Sequence, residues 1–215
     1  MNAAPSNIIQ LRELLAARHP QAGLRAAGCF ATGMAQLDAV LEGGLAQGAI
    51  TEIVAHGGGG TLLLAALLEA IRERHALGAL IEGRDTFDAT DWPPEILARL
   101  LWVRGNTAAL ALKAADLLLR DGNLPLIVLD LRANAASETR QIPATTWYRL
   151  QRVVEPTDTA FVVLTARGLV SGARARVQLE ARFTLEAFDR PATALMGEVA
   201  VACLHESKGR IRQFA

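Results

Sequence analysis

The sequence predicts an α/β fold built around a mostly parallel sheet with helices on both faces. Short apolar runs alternate with longer stretches of helical spacing between residues 50 and 165, which is typical of parallel strands joined by crossover helices. The segment 61–74 is apolar almost all round, as expected for a helix buried against a sheet. After residue 171 the apolar residues alternate strictly, which predicts antiparallel strands at the C-terminal edge of the sheet.

Length and composition fit one domain. The 215 residues, 51% of them hydrophobic, can bury one sizeable core, so we expect a core domain over residues 28–215 behind an N-terminal segment of residues 1–27. The formal net charge is zero, which gives no global attraction to nucleic acid or to an anionic membrane. Cys29 and Cys203 match no metal spacing. Without a signal-peptide pattern or a long apolar run, we expect a cytoplasmic protein that does not contact a membrane.

The N-terminal segment is predicted to contain an amphipathic helix and a linker. In the stretch 6–18 the apolar residues Ile8, Leu11 and Leu15 recur at helical spacing, and this predicts a helix with one apolar face. A short helix is predicted at 34–41, just before the first core strand.

The core is predicted to alternate strands and helices. The predicted strands are 50–55, 79–81, 99–103, 124–130 and 161–165, and the predicted helices are 61–74, 107–120 and 145–154. The helix 107–120 has one charged stripe and one apolar stripe, as expected for a helix of an outer layer. The apolar stripe consists of Leu110, Ala114, Leu117 and Leu118. Two further strands, within 177–183 and 199–203, are predicted to pair across a connection near Pro191.

A tetraglycine run stands between the first core strand and the buried helix: Gly57, Gly58, Gly59 and Gly60. A phosphate-binding loop uses the same order of strand, glycines and helix. Such a loop continues with a lysine and a magnesium-binding Ser or Thr, whereas this run continues with Thr61 and Leu62. The favoured interpretation is a tight strand-to-helix turn with Thr61 as the helix N-cap, and the alternative is a phosphate site that has kept its shape.

The residues around this run resemble the core of the RecA family. The similar segments, in order, are Thr32-Gly33-Met34, Leu37-Asp38, Gly43-Gly44-Leu45 and Gly48, followed by the strand before the glycines. The strand 124–130 is similar to the one that carries the Walker B aspartate, which makes Asp130 the Walker B-like residue. The segment 161–167 is similar to the strand that leads into the second DNA loop of RecA.

This resemblance also shows what the chain lacks. In the RecA family the nucleotide site uses a lysine in the phosphate loop, a hydroxyl that binds magnesium, a glutamate that activates water and a glutamine that senses the γ-phosphate. By ungapped spacing the corresponding places are Thr61, Leu62, Arg84 and Ala166. A one-residue gap would make Thr61 the magnesium threonine, but the lysine would still be missing. Each lost charged hydrogen bond is worth about 1.5–3 kcal/mol, or about 10- to 100-fold in binding. We therefore expect a pseudo-ATPase with no catalytic residues, no metal site, and no ATP or magnesium cofactor.

A RecA-like chain of this length with an eroded nucleotide site resembles the ImuA family of SulA-related RecA paralogues. The resemblance implies a non-catalytic scaffold in damage-induced mutagenic translesion DNA synthesis. It implies an ImuB-like polymerase homologue and an error-prone polymerase as partners, with RecA or a second copy as further candidates. The helix carrying Ile8, Leu11 and Leu15 is similar to the one that RecA docks on a neighbouring subunit. Two alternatives stay open: a weak or trans-activated NTPase of RecA type, and a SulA-like inhibitor of cell division.

Two basic groups are candidate interaction sites. Arg167, Arg174 and Arg176 follow a strand end, where the resemblance implies a mobile DNA-binding loop. No aromatic stacking residue accompanies them, so we expect DNA binding to be weak or absent. Lys208 and Arg210 stand where RecA places basic residues that reach a neighbour's nucleotide. Alternatively, these two residues bind no partner and serve only to keep an edge strand soluble.

For the remaining polar residues, a purely structural role is the alternative to a functional one. Asp130 ends a buried strand, where its carboxylate can also cap a helix or pair with an arginine. His56 and His205 have no third ligand, so they make a poor metal site. Glu82, Arg84 and Asp85 stand at another strand end, where they are a candidate substrate-facing cluster; the alternative is that they are solvated, as charged loop residues usually are.

Overall fold

A seven-stranded sheet lies at the centre of the fold in the computed structural model, which describes residues 28–90 and 92–206. Its strands, β3 to β9, are Ala49–Gly57, Gly78–Glu82, Leu100–Arg104, Leu126–Asp130, Ala160–Thr165, Ala175–Ala181 and Ala200–Glu206. A separate antiparallel ribbon pairs β1 (Cys29–Phe30) with β2 (Leu45–Ala46). The predicted helix at 6–18 lies outside the described residues.

Helices cover both faces of the sheet. Helices α1 to α7 are Ala35–Val40, Gly59–Glu73, Pro94–Leu97, Ala108–Asp121, Ala136–Arg140, Ala144–Val154 and Ala192–Met196, and a 3-10 helix spans Leu185–Asp189. The predicted core strands and helices are confirmed to within two residues at each end. The helices α3, α5 and α7 were not predicted, because four or five residues are too few to show a helical period. No helix in the described part of the chain is both long and apolar enough to cross a membrane.

The strand order is β5-β4-β6-β7-β3-β8-β9. The predicted antiparallel pairing of the two C-terminal strands with each other is confirmed, because β8 pairs antiparallel with β9. The expectation that both would extend the sheet as antiparallel strands is wrong for β8, which pairs in parallel with β3. The segment between β7 and β8 leads the chain back to the end of the sheet where β3 begins. Only β9 runs antiparallel, to β8, and Pro191 is the N-cap of α7 in the connection between them.

Alternate residues of the central strands point into two apolar cores. On β6, Leu126 and Val128 join a core with the helix α2, while Ile127 and Leu129 join a second core with α4 and α6. Both faces of β6 are therefore buried, which explains why it appears in the sequence as an unbroken apolar run.

The helix α4 contradicts the predicted apolar stripe. Its buried side is made of Ala108, Ala111, Leu112, Ala115 and Leu119, whereas Leu110 and Leu117 are exposed. The small alanines allow the helix axis to approach the sheet closely. The larger leucines of the predicted stripe therefore point outward.

Glu138 connects the helix α5 to the first turn of α4. Its Oε1 accepts a hydrogen bond from the backbone N–H of Ala108 at 2.6 Å, and Asn134 Nδ2 donates to its Oε2 at 3.0 Å. The Asn134 hydrogen bond, the Ala108 N–H and the nearby Arg84 guanidinium lower the pKa of Glu138 below its ordinary value of 4.5. This stabilisation is present above the unfolded pKa and is lost as the pH falls through the folded pKa.

We therefore expect Glu138→Gln to flatten the loss of stability below about pH 4.5, because the variant has no carboxylate to protonate. Chemical denaturation of both proteins at a series of pH values between 3 and 7 measures this. Glu155→Gln, which changes an exposed glutamate next to α6, is the matched control and should keep the wild-type profile. An unchanged profile in Glu138→Gln would contradict the assignment.

Candidate functional site

The tetraglycine run forms the turn from β3 into α2. Gly57 ends β3 with φ of 60°, a left-handed conformation that glycine adopts most easily. Gly58 is the N-cap and the helix begins at Gly59. The prediction of Thr61 as the N-cap is wrong, because its own N–H already donates to the Gly58 carbonyl at 3.1 Å inside the first turn.

Close packing favours glycine at two positions of this run, Gly57 and Gly60, whatever the run binds. A Cβ at Gly57 would stand 2.1 Å from the carbonyl oxygen of Ala181 on β8. A Cβ at Gly60 would stand 2.2 Å from Nη1 of Arg132 and 2.9 Å from the Cβ of Ala55. The geometry therefore explains the glycines through the approach of α2 to β3 and β8.

The two positions after the glycines point in different directions. Thr61 is exposed, and Leu62 is buried in the core beneath α2. The place that the RecA resemblance gives to the magnesium hydroxyl is thus occupied by a core side chain.

Asp130, at the end of β6, is held by a nearby arginine. Its Oδ1 accepts hydrogen bonds from the backbone N–H and from Nε of Arg132, both at 3.0 Å, and its Oδ2 accepts from Nη2 at 2.6 Å. Asp130 is buried and Arg132 is partly exposed. Pairing with an arginine was one of the two structural roles that the sequence left open for Asp130, and this bidentate pair shows that role. Sequence reasoning did not single out Arg132, although its position two residues after Asp130 was a local signal.

The same guanidinium lies beside the start of α2, with Nη1 nearest to Gly60. A helix N-terminus carries a partial positive charge, so an arginine there is unfavourable unless an anion balances it. Asp130 supplies that anion, and both of its oxygens are occupied in doing so. Asp130, Arg132 and the glycine turn thus form one electrically balanced unit.

The charged residues at the end of β4 and just after it do not form a shared site, and Arg84 pairs with Glu138 of α5 at 3.4 Å. Glu82 is buried, with Oε1 accepting hydrogen bonds from the N–H groups of Thr86 and Phe87 at 3.0 and 2.7 Å, and Oε2 accepting from Trp102 Nε1 at 2.6 Å. It fixes the turn after the strand, so the expectation of a solvated side chain is wrong for Glu82. Asp85 is exposed and pairs with an arginine of β5 at 3.3 Å.

A buried carboxylate on β3 organises the segment after β7. Glu52 Oε1 accepts hydrogen bonds from Thr165 Oγ1 at 3.1 Å and from the N–H groups of Leu169 and Val170 at 2.6 and 3.1 Å. Its Oε2 pairs with Nε of Arg176, and Nη2 of that arginine donates to the Val170 carbonyl at 2.8 Å. The segment is therefore bound to the centre of the sheet at several points.

The three arginines predicted for a DNA or partner loop are separated. Arg176 lies within β8 and pairs with Glu52. Arg167 donates from Nη2 to the carbonyl of Ala136 and to Oγ1 of Thr139 in α5, at 2.8 and 3.0 Å. Arg174 is exposed, and its backbone N–H donates to the carbonyl of Ile50 on β3 at 2.9 Å. Lys208 and Arg210 lie outside the described residues.

A small cavity of about 150 Å³ lies at the carboxyl ends of β6 and β7. Ala166, the place implied for the γ-phosphate sensor, lines it together with Thr165 and Arg167. The polar groups of those two neighbours already bind Glu52 and α5. Asn134 also lines the cavity, and its buried Oδ1 has no hydrogen-bond partner among the described residues, so the cavity keeps at least this one free acceptor.

The histidines and cysteines do not converge. His56 lies on β3 and His205 on β9, with β8 between the two strands. Within residues 28–90 and 92–206, no three His, Cys, Asp or Glu side chains are grouped so that they could hold a metal ion. Comparison with known proteins gave no match to any protein-family model and no significant match to a curated protein.

Proposed function

We propose that this chain is a RecA-like accessory protein of the ImuA type, which serves as a protein-interaction scaffold in damage-induced translesion DNA synthesis and does not hydrolyse ATP. Its partners would be an ImuB-like polymerase homologue and an error-prone polymerase. The proposal combines the sequence resemblance with a nucleotide site whose remaining parts are occupied by structural contacts.

The pairing of Asp130 with Arg132 is the observation that carries this proposal. A Walker B aspartate holds magnesium through its oxygens, and both oxygens of Asp130 accept hydrogen bonds from Arg132. Freeing them would leave an arginine unbalanced beside the helix start. In the ungapped comparison, the core position of Leu62 leaves no hydroxyl for the second magnesium ligand.

The purified full-length chain is expected to show no ATPase activity above that of its Asp130→Asn variant, with or without single-stranded DNA. The physical reason is that Asp130 binds an arginine and supports no metal. Titration calorimetry with magnesium and ATP at millimolar concentration should give no binding heat. DNA-stimulated hydrolysis that disappears in Asp130→Asn would contradict the proposal.

The scaffold role needs a separate readout. In the native host, deleting the gene should lower the frequency of damage-induced mutation, and the Asp130→Asn gene should restore it. Asp116→Asn, on the flank of α4 beside α6, is the matched control because it changes an aspartate remote from the glycine turn. Unchanged mutagenesis in the deletion strain would overturn the role in translesion synthesis.

One observation favours a second candidate, a nucleotide sensor of RecA type. Nη1 of Arg132 faces the glycine turn, so this guanidinium stands near the place where a lysine would meet a phosphate. Magnesium-independent ATP binding that is lost in Arg132→Ala and kept in Arg120→Ala, an exposed arginine of α4, would favour this candidate over the scaffold.

A further inference from the structure

The strand β9 forms a free edge of the seven-stranded sheet. It stands last in the strand order, and its outer side has no pairing strand among the described residues. The side chains at 202–205 are exposed, and Leu204 is 51% exposed. An unpaired edge of this kind presents a row of backbone N–H and C=O groups to which another strand can bind.

The sequence of β9 does not protect this edge. Proteins usually protect an edge strand with charged residues or proline, and the opposite edge strand β5 has Arg99 before it and Arg104 at its end. The residues 200–204 of β9 are Ala, Val, Ala, Cys and Leu, without a charge or a proline. Pairing with a further strand is therefore easier at β9 than at β5.

The contacts of β9 with its own chain leave the outer side accessible. Val201 is half-buried against the core beneath α2, and Gln36 of α1 donates from Nε2 to the carbonyl of Gly197, before the strand, at 2.8 Å. A bulge lies at the far end of the strand, because Val177 pairs with Cys203 and Arg176 with His205. The residues 200–203 form a regular strand ahead of this bulge.

We propose that β9 pairs antiparallel with β9 of a second copy of this chain, so that the two sheets become one sheet across a two-fold axis. Such an axis places one residue opposite itself. If that residue is Ala202, Leu204 lies opposite Ala200, and if it is Cys203, Leu204 lies opposite Ala202. In both registers a large apolar side chain meets a small one, which suits a cross-strand pair. The inference does not depend on the proposed function.

Charge favours a second copy as the partner. The formal net charge of the chain is zero, so two copies do not repel each other at long range, and the pairing residues 200–204 carry no charge. An open chain of copies would need β9 to pair with β5, where Arg99 and Arg104 oppose it. Because two short edge strands bury less area than a standard interface, we expect a dissociation constant of roughly 10–100 μM.

Cysteine crosslinking locates the contact in the full chain. Cys29 and Cys203 are both exposed, and Cys29 lies on β1, outside the seven-stranded sheet. Cys29→Ser therefore keeps a thiol only on β9, and Cys203→Ser is the matched control that keeps a thiol only on β1. With a short bismaleimide at about 100 μM protein, we expect at least about tenfold more crosslinked dimer from Cys29→Ser, because opposite residues of paired strands lie about 5 Å apart.

Sedimentation velocity measures the same contact without a crosslinker. Ala202→Lys places a charge on the pairing strand and should raise the dissociation constant of the dimer at least about tenfold. Two other changes to lysine at exposed positions, Thr193→Lys on α7 and Leu117→Lys on α4, are the controls and should leave it unchanged. Circular dichroism checks that each variant is folded.

Four outcomes would overturn the proposal. The first is a chain that stays monomeric at millimolar concentration, and the second is equal crosslinking of the two cysteine variants. The third is a dimer that Leu117→Lys weakens and Ala202→Lys does not, which would place the contact on α4. The fourth is slow amide exchange throughout β9 in the monomer, which would show that the edge is covered within one chain.

Discussion

Replacing Glu52 with alanine is expected to lower the free energy of unfolding by about 3–5 kcal/mol, the usual cost of breaking a buried ion pair by removing one partner. Glu52 is fully buried and accepts hydrogen bonds from Thr165, Leu169 and Val170 as well as the ion pair from Arg176. Alanine would leave these donors unsatisfied, and each buried unsatisfied donor costs about 1–3 kcal/mol. Urea denaturation followed by circular dichroism measures the change.

The matched control for this change is Glu180→Ala. Glu180 lies on β8 and pairs with Arg182 at 2.8 Å, but both side chains are exposed, so its removal should cost no more than about 1 kcal/mol. If Glu52→Ala cost as little as Glu180→Ala, the buried network would not stabilise the fold as described. Proteolysis of the segment 166–174 should also accelerate in Glu52→Ala, since two of its N–H groups lose their acceptor.

Replacing Trp147 with alanine is expected to cost a similar amount, about 3–5 kcal/mol. Trp147 lies in α6 with its side chain fully buried in the core shared with α4. Alanine would leave a large cavity, because the rigid strands behind the helix cannot close around the smaller side chain. The same denaturation experiment measures the loss.

Trp147→Phe separates the two contributions of this side chain. The indole N–H is buried and has no hydrogen-bond acceptor among the described residues, so phenylalanine removes an unsatisfied donor along with some volume. We therefore expect Trp147→Phe to cost no more than about half as much as Trp147→Ala. Equal costs for the two variants would show that the indole nitrogen makes a stabilising hydrogen bond.

The sequence predicted the sheet well because its central strands are buried on both faces. The strand β7, for example, is an apolar run that ends in a threonine, and such runs locate strands without any knowledge of their neighbours. The direction of β8 could not be predicted in the same way. Alternation shows which side chains are exposed, and it is the same for a parallel and an antiparallel strand.

The buried side of α4 shows a second limit of prediction from sequence. A count of large apolar residues favoured the stripe of Leu110 and Leu117, but the helix approaches the sheet through Ala111 and Ala115. Hydrophobic spacing does not reveal how closely two elements pack. The prediction for this helix therefore had the right kind of element and the wrong face.

The candidate site was predictable only where its contacts are local. The glycine turn and Asp130 followed from short motifs, and Arg132 stands two residues from its partner. The partners of Glu52 are 113 to 124 residues away from it in sequence. No local pattern distinguishes a glutamate that will be buried by such distant residues from one on a surface strand.

This separation also affects the synthesis of the chain. The strand β3 is the first long strand made, yet its neighbours in the sheet, β7 and β8, are among the last. At about 5–20 residues per second, Thr165 is added roughly 5–20 s after Glu52. During this interval the edges of β3 have no pairing strand and the carboxylate has no arginine, so the sheet cannot close before most of the chain has left the ribosome. A topology of this kind folds slowly.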